Sequence, residues 1–424
     1  MKLLVLVLVL LMSPVSVAAS PLAAAERAMQ ARQSQDAVDL VARYRPATQG
    51  ETIRRLWILG VANNRLNRPR AAIEPLDKLV AMVPGHLEFR LELALALLRA
   101  GQTERARYHF AQAKSATAQP AIQARVQVEI DKIDSSKNWQ GYFRFAIVPE
   151  SNAVRRTAAE TVSLGGLIFN LQPGAQAQPA LGVELGFGLA ALPRLSDDLR
   201  GRFAFDVLTR AFDGRAPDDT ILRVSAGVLH FGDNGKQGAF EVFATQRWLD
   251  QAAYSRSLGI TLRHARLIGA QTNLAASITH ERLNYLHPAY RVDKSSIEAK
   301  LIHNATPQLQ LSAGVHAEHR LSANTSASGR AYGFSLGGQY SFAGGLRAGL
   351  VASFDHNKYD GIHALFGVRR VDRKSAMMVQ INNQNWSHKG FSPVLRLGFE
   401  RQRSSIVVNS YQNLTASIGL TRSF

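Results

Sequence analysis

The sequence predicts an α+β multidomain chain: N-terminal α-helical repeats followed by a C-terminal antiparallel transmembrane β-barrel of about 14 strands, or 16. Three observations carry this. The chain opens on an export segment. Its apolar spacing changes from three-and-four to two near Trp139. Its last strand alternates down to a terminal Phe424.

Met1 and Lys2 give a positive start, and Leu3 to Met12 is an unbroken apolar run. Small residues follow through Ala18, Ala19 and Ser20, so the spacing predicts a signal peptide over 1–19, cut after Ala19. A permanent anchor helix would need about 20 apolar residues, and this run is shorter. The chain has no Cys, which excludes a lipid-anchored Cys, a disulfide framework and a thiolate metal site. The net charge of +18 raises nucleic acid as a partner. The arginines, however, are spread along the chain and many alternate with apolar residues. That pattern suits a polar lumen or membrane rims, and no nucleic-acid partner is expected.

Residues 20–138 read as a helical domain, rich in Ala, Leu, Arg, Gln and Glu. Leu59-Gly60, Ala72, Leu76, Leu79 and Pro84 recur as Leu93-Ala94, Ala106, Phe110, Ala113 and Ala118, each 34 residues on. This is the tetratricopeptide period, with small residues where two helices approach and larger ones in the groove between them. Gly101-Gln102-Thr103 reads as a turn, Ala24 to Tyr44 as a capping helix, and Ala121 to Ile133 as a continuation. Trp57 and Tyr108 read as core. The array is either a spacer or a docking surface for a polypeptide.

From Trp139 to Phe424 the period is two. Phe203, Phe205 and Val207 share one face, with Arg202 and Asp206 on the other; Leu309, Leu311, Ala313 and Val315 alternate with polar neighbours. Leu395, Leu397, Phe399 and then Leu414, Ala416, Ile418, Leu420 do the same. Alternation alone fits a soluble sandwich or a lipid-facing barrel. The number of segments favours the barrel. So do aromatics placed where girdles would sit (Tyr142-Phe143, Trp248, Tyr285, Tyr290, Tyr340-Phe342, Trp386). Ile418, Leu420 and Phe424 form the terminal pattern that bacterial outer-membrane barrels present to their assembly machinery. The strand count turns on whether Ile362 to Asn382 is one bent hairpin or two strands. Asp213 to Thr220, Leu283 to Lys294 and Ser322 to Gly329 are expected as loops, mostly extracellular.

Two stretches resemble a known family. Gly141-Tyr142-Phe143-Arg144-Phe145-Ala146-Ile147-Val148 followed by Pro149-Glu150-Ser151-Asn152 is similar to the first strand and turn of the surface lipoprotein assembly modulator family of Gram-negative bacteria. Gly390-Phe391-Ser392-Pro393-Val394-Leu395-Arg396-Leu397, Glu400 to Ile406, and Gly419 to Phe424 resemble its last hairpin. Ala153 and Ser405 depart from the pattern, where Ile and Asn would stand. The resemblance implies an outer-membrane protein with its helical domain in the periplasm. It also implies a barrel that passes or displays cargo, either surface lipoproteins or secreted haem- or iron-capturing proteins. No cofactor is implied.

Candidate sites follow the same logic. His264, His280, His303, His316 and His319 invite a metal reading, but His316 and His319 fall on opposite faces of a strand. No Ser and His share a spacing that singles out a lipase, and no helix follows Gly165-Gly166, Gly337-Gly338 or Gly344-Gly345 to make a phosphate loop. The chain therefore reads as no enzyme, with no cofactor and no metal. Arg202, Arg223, Arg263, Arg347 and Arg396 lie on polar strand faces and should line the lumen, paired with Asp206, Glu241, Glu318 and Glu400 or steering acidic segments of a substrate. A polysaccharide-export channel, or a passive porin with a helical docking domain, is the alternative.

Overall fold

The computed structural model describes residues 20–423 apart from 118, 137, 234, 270, 343–345, 384, 385 and 387–389. The expected signal peptide over 1–19, Phe424, Ala118 and Gly344-Gly345 lie outside the described residues.

The first helices are α1 (Pro21–Gln30), α2 (Ser34–Ala42), α3 (Gln49–Arg65) and α4 (Pro69–Met82). Ser20 caps α1 by accepting the Ala23 N–H at 3.3 Å, with Pro21 in the first turn, where a missing N–H costs nothing. Thr48 caps α3 by accepting the Glu51 N–H at 3.2 Å, and the Glu51 carboxylate accepts the Ala47 N–H at 2.7 Å. The single helix expected from Ala24 to Tyr44 is instead two, because Arg32 takes a positive φ of 61° and ends α1. Leu22, Ala25, Ala37, Val41 and Ile58 form the core of this bundle. Gly60 explains the small residue at its position: a Cβ there would stand 2.5 Å from the buried Leu76 side chain.

The chain divides into two compact units, the first ending at Leu79 and the second running from Val80 to Phe424. The division therefore falls inside α4, and the later helices α5 (Leu87–Arg99), α6 (Thr103–Ser115) and α7 (Pro120–Ser136) go with the strands. Leu93, Ala94, Leu97, Ala106, Phe110 and Ala113 make their buried core.

The strands begin with β1 (Trp139–Glu150), followed by a small hairpin of β2 (Thr161–Leu164) and β3 (Leu167–Asn170) turned at Gly165-Gly166. Then come β4 (Ala180–Ala191), β5 (Leu199–Phe212), β6 (Asp219–Gly232), β7 (Lys236–Leu249) and β8 (Ala252–Leu267). Next are β9 (Thr272–Leu286), β10 (Ala289–Asn304), β11 (Leu309–Leu321) and β12 (Gly329–Ser341). The last four are β13 (Leu346–Ile362), β14 (Arg369–Asn383), β15 (Ser392–Ser404) and β16 (Tyr411–Ser423). All but β2 and β3 pair antiparallel with their neighbours in a closed barrel of 14 strands, sealed where β1 meets β16. Closure leaves no open edge, which a strand protein in lipid requires.

The strand count is thus fourteen, with β13 and β14 separating at residues 363–368. Period-two alternation sorts the faces. Leu258, Ile260 and Leu262 of β8 are exposed, whereas Ser255, Ser257 and Thr261, on the alternate positions of the same strand, are buried. Phe145, Ile147, Leu181, Val183, Phe203, Phe205, Phe334, Leu336, Leu397 and Phe399 continue the outward apolar band. An apolar outer wall around a polar interior is the arrangement of a membrane-spanning barrel.

Two expectations need correction. Leu283 to Lys294 is no loop: β9 and β10 run through it and leave only His287 and Pro288 between them, with Tyr285 paired to Tyr290. Those two tyrosines are not girdle residues. They stack at 4.5 Å, with Tyr254 edge-on to Tyr285 at 5.5 Å, on the strand face that carries Glu281 and Lys294 inward. Tyr340, Phe342 and Trp386 do stand exposed, as a girdle requires. Segment 213–218 and Ser322 to Ser328 are turns, as expected, while Asp219 and Thr220 already belong to β6.

Candidate functional site

Successive hairpins put every other turn at one end of the barrel. The end nearer α5–α7 carries the turns after β4, β6, β8, β10, β12 and β14; the far end carries the rest. Function can reside in three places: the seam at the far end, the inner wall and the helix-bearing mouth.

At the seam, backbone pairing between β1 and β16 runs from Tyr142 opposite Ser423 to Ile147 opposite Ile418 and resumes at Glu150 opposite Thr415. Pro149, which has no N–H to give a ladder, sits in the gap. Side chains take over there. Asn413 Nδ2 donates to the buried Glu150 carboxylate at 2.7 Å, and Asn413 Oδ1 accepts the Asn152 N–H at 2.9 Å. Ser151 Oγ accepts the Leu414 N–H at 2.8 Å, and Asn152 Nδ2 donates to the Gln412 and Arg156 carbonyls at 3.0 and 2.8 Å. Pro149, Glu150, Ser151 and Asn152 therefore close the barrel. Arg155 and Arg210 stand 3.6 and 3.8 Å from the Glu150 carboxylate, supplying charge to a group with no solvent. Ile418 and Leu420 face outward, opposite Ile147 and Phe145.

The inner wall is an ion-pair ladder. Glu241 of β7 sits between Arg202 of β5 at 3.1 Å and Arg263 of β8 at 2.9 Å. Glu184 of β4 sits between Arg144 of β1 at 3.0 Å and Arg210 of β5 at 2.7 Å. Glu400 joins Arg155 at 2.6 Å and Lys374 at 2.7 Å. Glu318 meets Arg320 at 3.2 Å, and Asp206 lies opposite Arg223 in the ladder. Such pairing offsets the cost of charge on a partly desolvated wall. Two of the expected lumen arginines use other partners. Arg223 lies 3.6 Å over the Phe243 ring, and Arg396 donates to Gln380 at 2.9 Å. His316 contacts Asp355 at 3.0 Å, whereas His319 lies on the outward face of the same strand.

Arg347 departs from the lumen expectation. It begins β13 at the helix-bearing mouth, and its guanidinium lies 3.8 Å over the ring of Tyr108 on α6. Tyr108 is thus no plain core residue; it fixes α6 to the barrel. Burial pushes its phenol up, but Arg347, a hydrogen bond with Ser341 and Arg90 together bring it below the usual phenol range. Next to it, burial holds the His109 imidazole well below its usual range, helped by Arg90, Arg105 and Arg347. Lys114 Nζ of α6 donates to Gln127 Oε1 of α7 at 2.8 Å, and Gln127 Nε2 donates to Asp131 of α7 at 2.7 Å. The Gly235 N–H of the β6–β7 turn also reaches Asp131. Gly235 has φ +70°, and a Cβ there would meet Leu267 at 3.0 Å and Gln127 at 3.1 Å.

Asn413, Glu184 and Arg155 were not expected from the sequence. Alternation could have marked Glu184 as inward, since it interrupts an apolar strand. Nothing local marks Asn413, which lies 263 residues from the carboxylate it serves.

The surface lipoprotein assembly modifier family model matches residues 139–424, the barrel described above. No curated protein matches the chain. Among solved structures, a bacterial polysaccharide outer membrane secretin is similar at 14% identity, over 67% of this chain and 98% of that one, with a TM-score of 0.37. The anion-selective porin from Comamonas acidovorans is similar at 9% identity, over 68% and 98%, with a TM-score of 0.40. In vitro folded OmpT of Vibrio cholerae in its trimer form gives 9% over 68% and 98%, at 0.39.

Proposed function

The chain belongs to the surface lipoprotein assembly modifier family, and from that premise we propose that this outer-membrane barrel moves surface lipoproteins to the cell surface. Secreted haem- or iron-capturing proteins are a second cargo class. The helices face the periplasm in this reading and the Glu150–Asn413 end faces outward. The observation that carries it is the inner wall. Glu241 and Glu184 each hold two arginines, while Arg223 and Arg396 rest on a ring and an amide. The wall therefore carries a surplus of cations that favours acidic segments of a passing chain over open water. The helices, read as tetratricopeptide-like from their 34-residue offsets, would receive the cargo.

No step of this work breaks a covalent bond, and we read the chain as a conduit rather than an enzyme. The experiment separates receiving from passing. Because α5–α7 go with the strands, the deletion that respects the compact units removes residues 23–79. It is expected to leave an inserted, heat-modifiable barrel and lower surface display of a co-expressed lipoprotein. Charge reversal at Arg223 and Arg396 is expected to slow display while periplasmic capture persists. Display at the parental level in both variants would overturn this division of labour and favour a passive porin.

A further inference from the structure

The outer wall carries a charge cluster that the conduit does not use. Asp372 and Lys374 of β14 and Glu400 of β15 make their ion pairs on the lumen side. Arg373, Arg401 and Arg403 alternate with them and are exposed on the opposite face, toward the membrane. Arg373 lies opposite Arg403, and Ser375 opposite Arg401, at the far rim of the barrel. Together with Phe354 of β13 and Ser405 these residues line one groove.

None of the three arginines has a carboxylate partner among the described residues. Other outward arginines of this barrel do: Arg282 and Arg291 share Asp293 at 3.0 and 3.5 Å. Below the groove, in the same outward rows, Met377 and Phe399 are about half exposed and continue the apolar band. Three unneutralised guanidinium forks directly above lipid-facing side chains call for a ligand with phosphates at one end and acyl chains at the other.

We propose that this groove binds the phosphate groups of an acylated glycolipid of the outer leaflet, with its chains against Phe354, Met377 and Phe399. The proposal rests on the orientation given above, which places the Arg369 and Ser404 end of β14 and β15 outside. Bound glycolipid supplies the negative charge that the outer face of these strands lacks, and it anchors the β13–β15 sector at the rim.

The test uses the full-length protein in detergent, titrated with bis-phosphorylated lipid A and followed by native mass spectrometry. Occupancy is expected to fall at least about five-fold in the Arg373→Gln/Arg401→Gln/Arg403→Gln variant, because guanidinium–phosphate pairs are charge-assisted and bidentate. The Arg282→Gln/Arg291→Gln variant is expected to bind as the parent does. A comparison that needs no variant is dephosphorylated lipid A, which is expected to bind the parent at least about five-fold more weakly. Equal binding of the two lipids, equal binding by a heat-modifiable triple variant, or phosphatidylglycerol binding as tightly as lipid A would each overturn the site. Cargo display at the parental level in the conduit variants, with lipid binding intact, would sink the conduit reading alone, so the two can fail separately.

Discussion

Asn413 donates from its side-chain amide to the buried carboxylate of Glu150 at 2.7 Å, across the line where the first and last barrel strands meet. The same amide group accepts the Asn152 N–H through its oxygen, so one side chain joins both partners of the seam. Pro149 cannot contribute a ladder hydrogen bond, and that amide, together with Ser151 and Asn152, bridges the gap it leaves.

Replacing Asn413→Ala removes a donor from a buried charge, which costs about 1–3 kcal/mol for an unsatisfied group. The temperature at which the barrel loses its heat-modifiable band on an unboiled gel should drop. Asn413→Asp should lower it further, since a second carboxylate would face Glu150. An unchanged transition in both variants would show that side chains do not hold the seam.

A larger residue at Gly60 should destabilise the first compact unit. Gly60→Val drives methyl groups into Leu76, which is fully buried, and overpacking of this kind costs about 1–3 kcal/mol. Adding Leu76→Ala should return part of the helical circular-dichroism melt. If Gly60→Val alone melts like the parent, α3 and α4 do not pack at this point.

His109 gives a pH dependence whose sign follows from its burial. Its folded pKa lies well below the ordinary value, so the folded chain keeps it neutral while the unfolded chain protonates near pH ~6.5. Stability from this group is therefore complete above about pH 6.5 and falls as pH drops below that value, because the unfolded state then binds the extra proton. The melt of the α5–α7 helical signal at pH 5.5 should come earlier than at pH 7.5, and His109→Gln should reduce the difference. An identical pH slope in the variant would remove His109 as its source.

Much of the fold was legible because alternation is a local property. Phe203 and Phe205 outward with Arg202 inward could be read from six residues, and Gly60 against Leu76 followed from the helical repeat. Turn positions were less legible. Tyr285 to Tyr290 is polar and aromatic enough to resemble a loop, yet the two strands pair up to His287-Pro288. Arg347 shows where pattern reading stops. It sits on a polar face like Arg202, but α6 reaches it with Tyr108, and only the tertiary fold brings those two together. The motif at Pro149 to Asn152 was visible as a resemblance; that it closes the barrel became visible only with Asn413 in place.

Protease shaving of intact cells tests most directly whether this barrel brings lipoproteins to the cell surface. A surface lipoprotein encoded beside this gene would be expressed with and without it, and the fraction digested by added protease measured in each. Deletion of the gene is expected to protect the lipoprotein from protease and leave it inside the outer membrane, with return of the gene restoring exposure. Equal digestion with and without the gene, for every candidate lipoprotein encoded nearby, would contradict it.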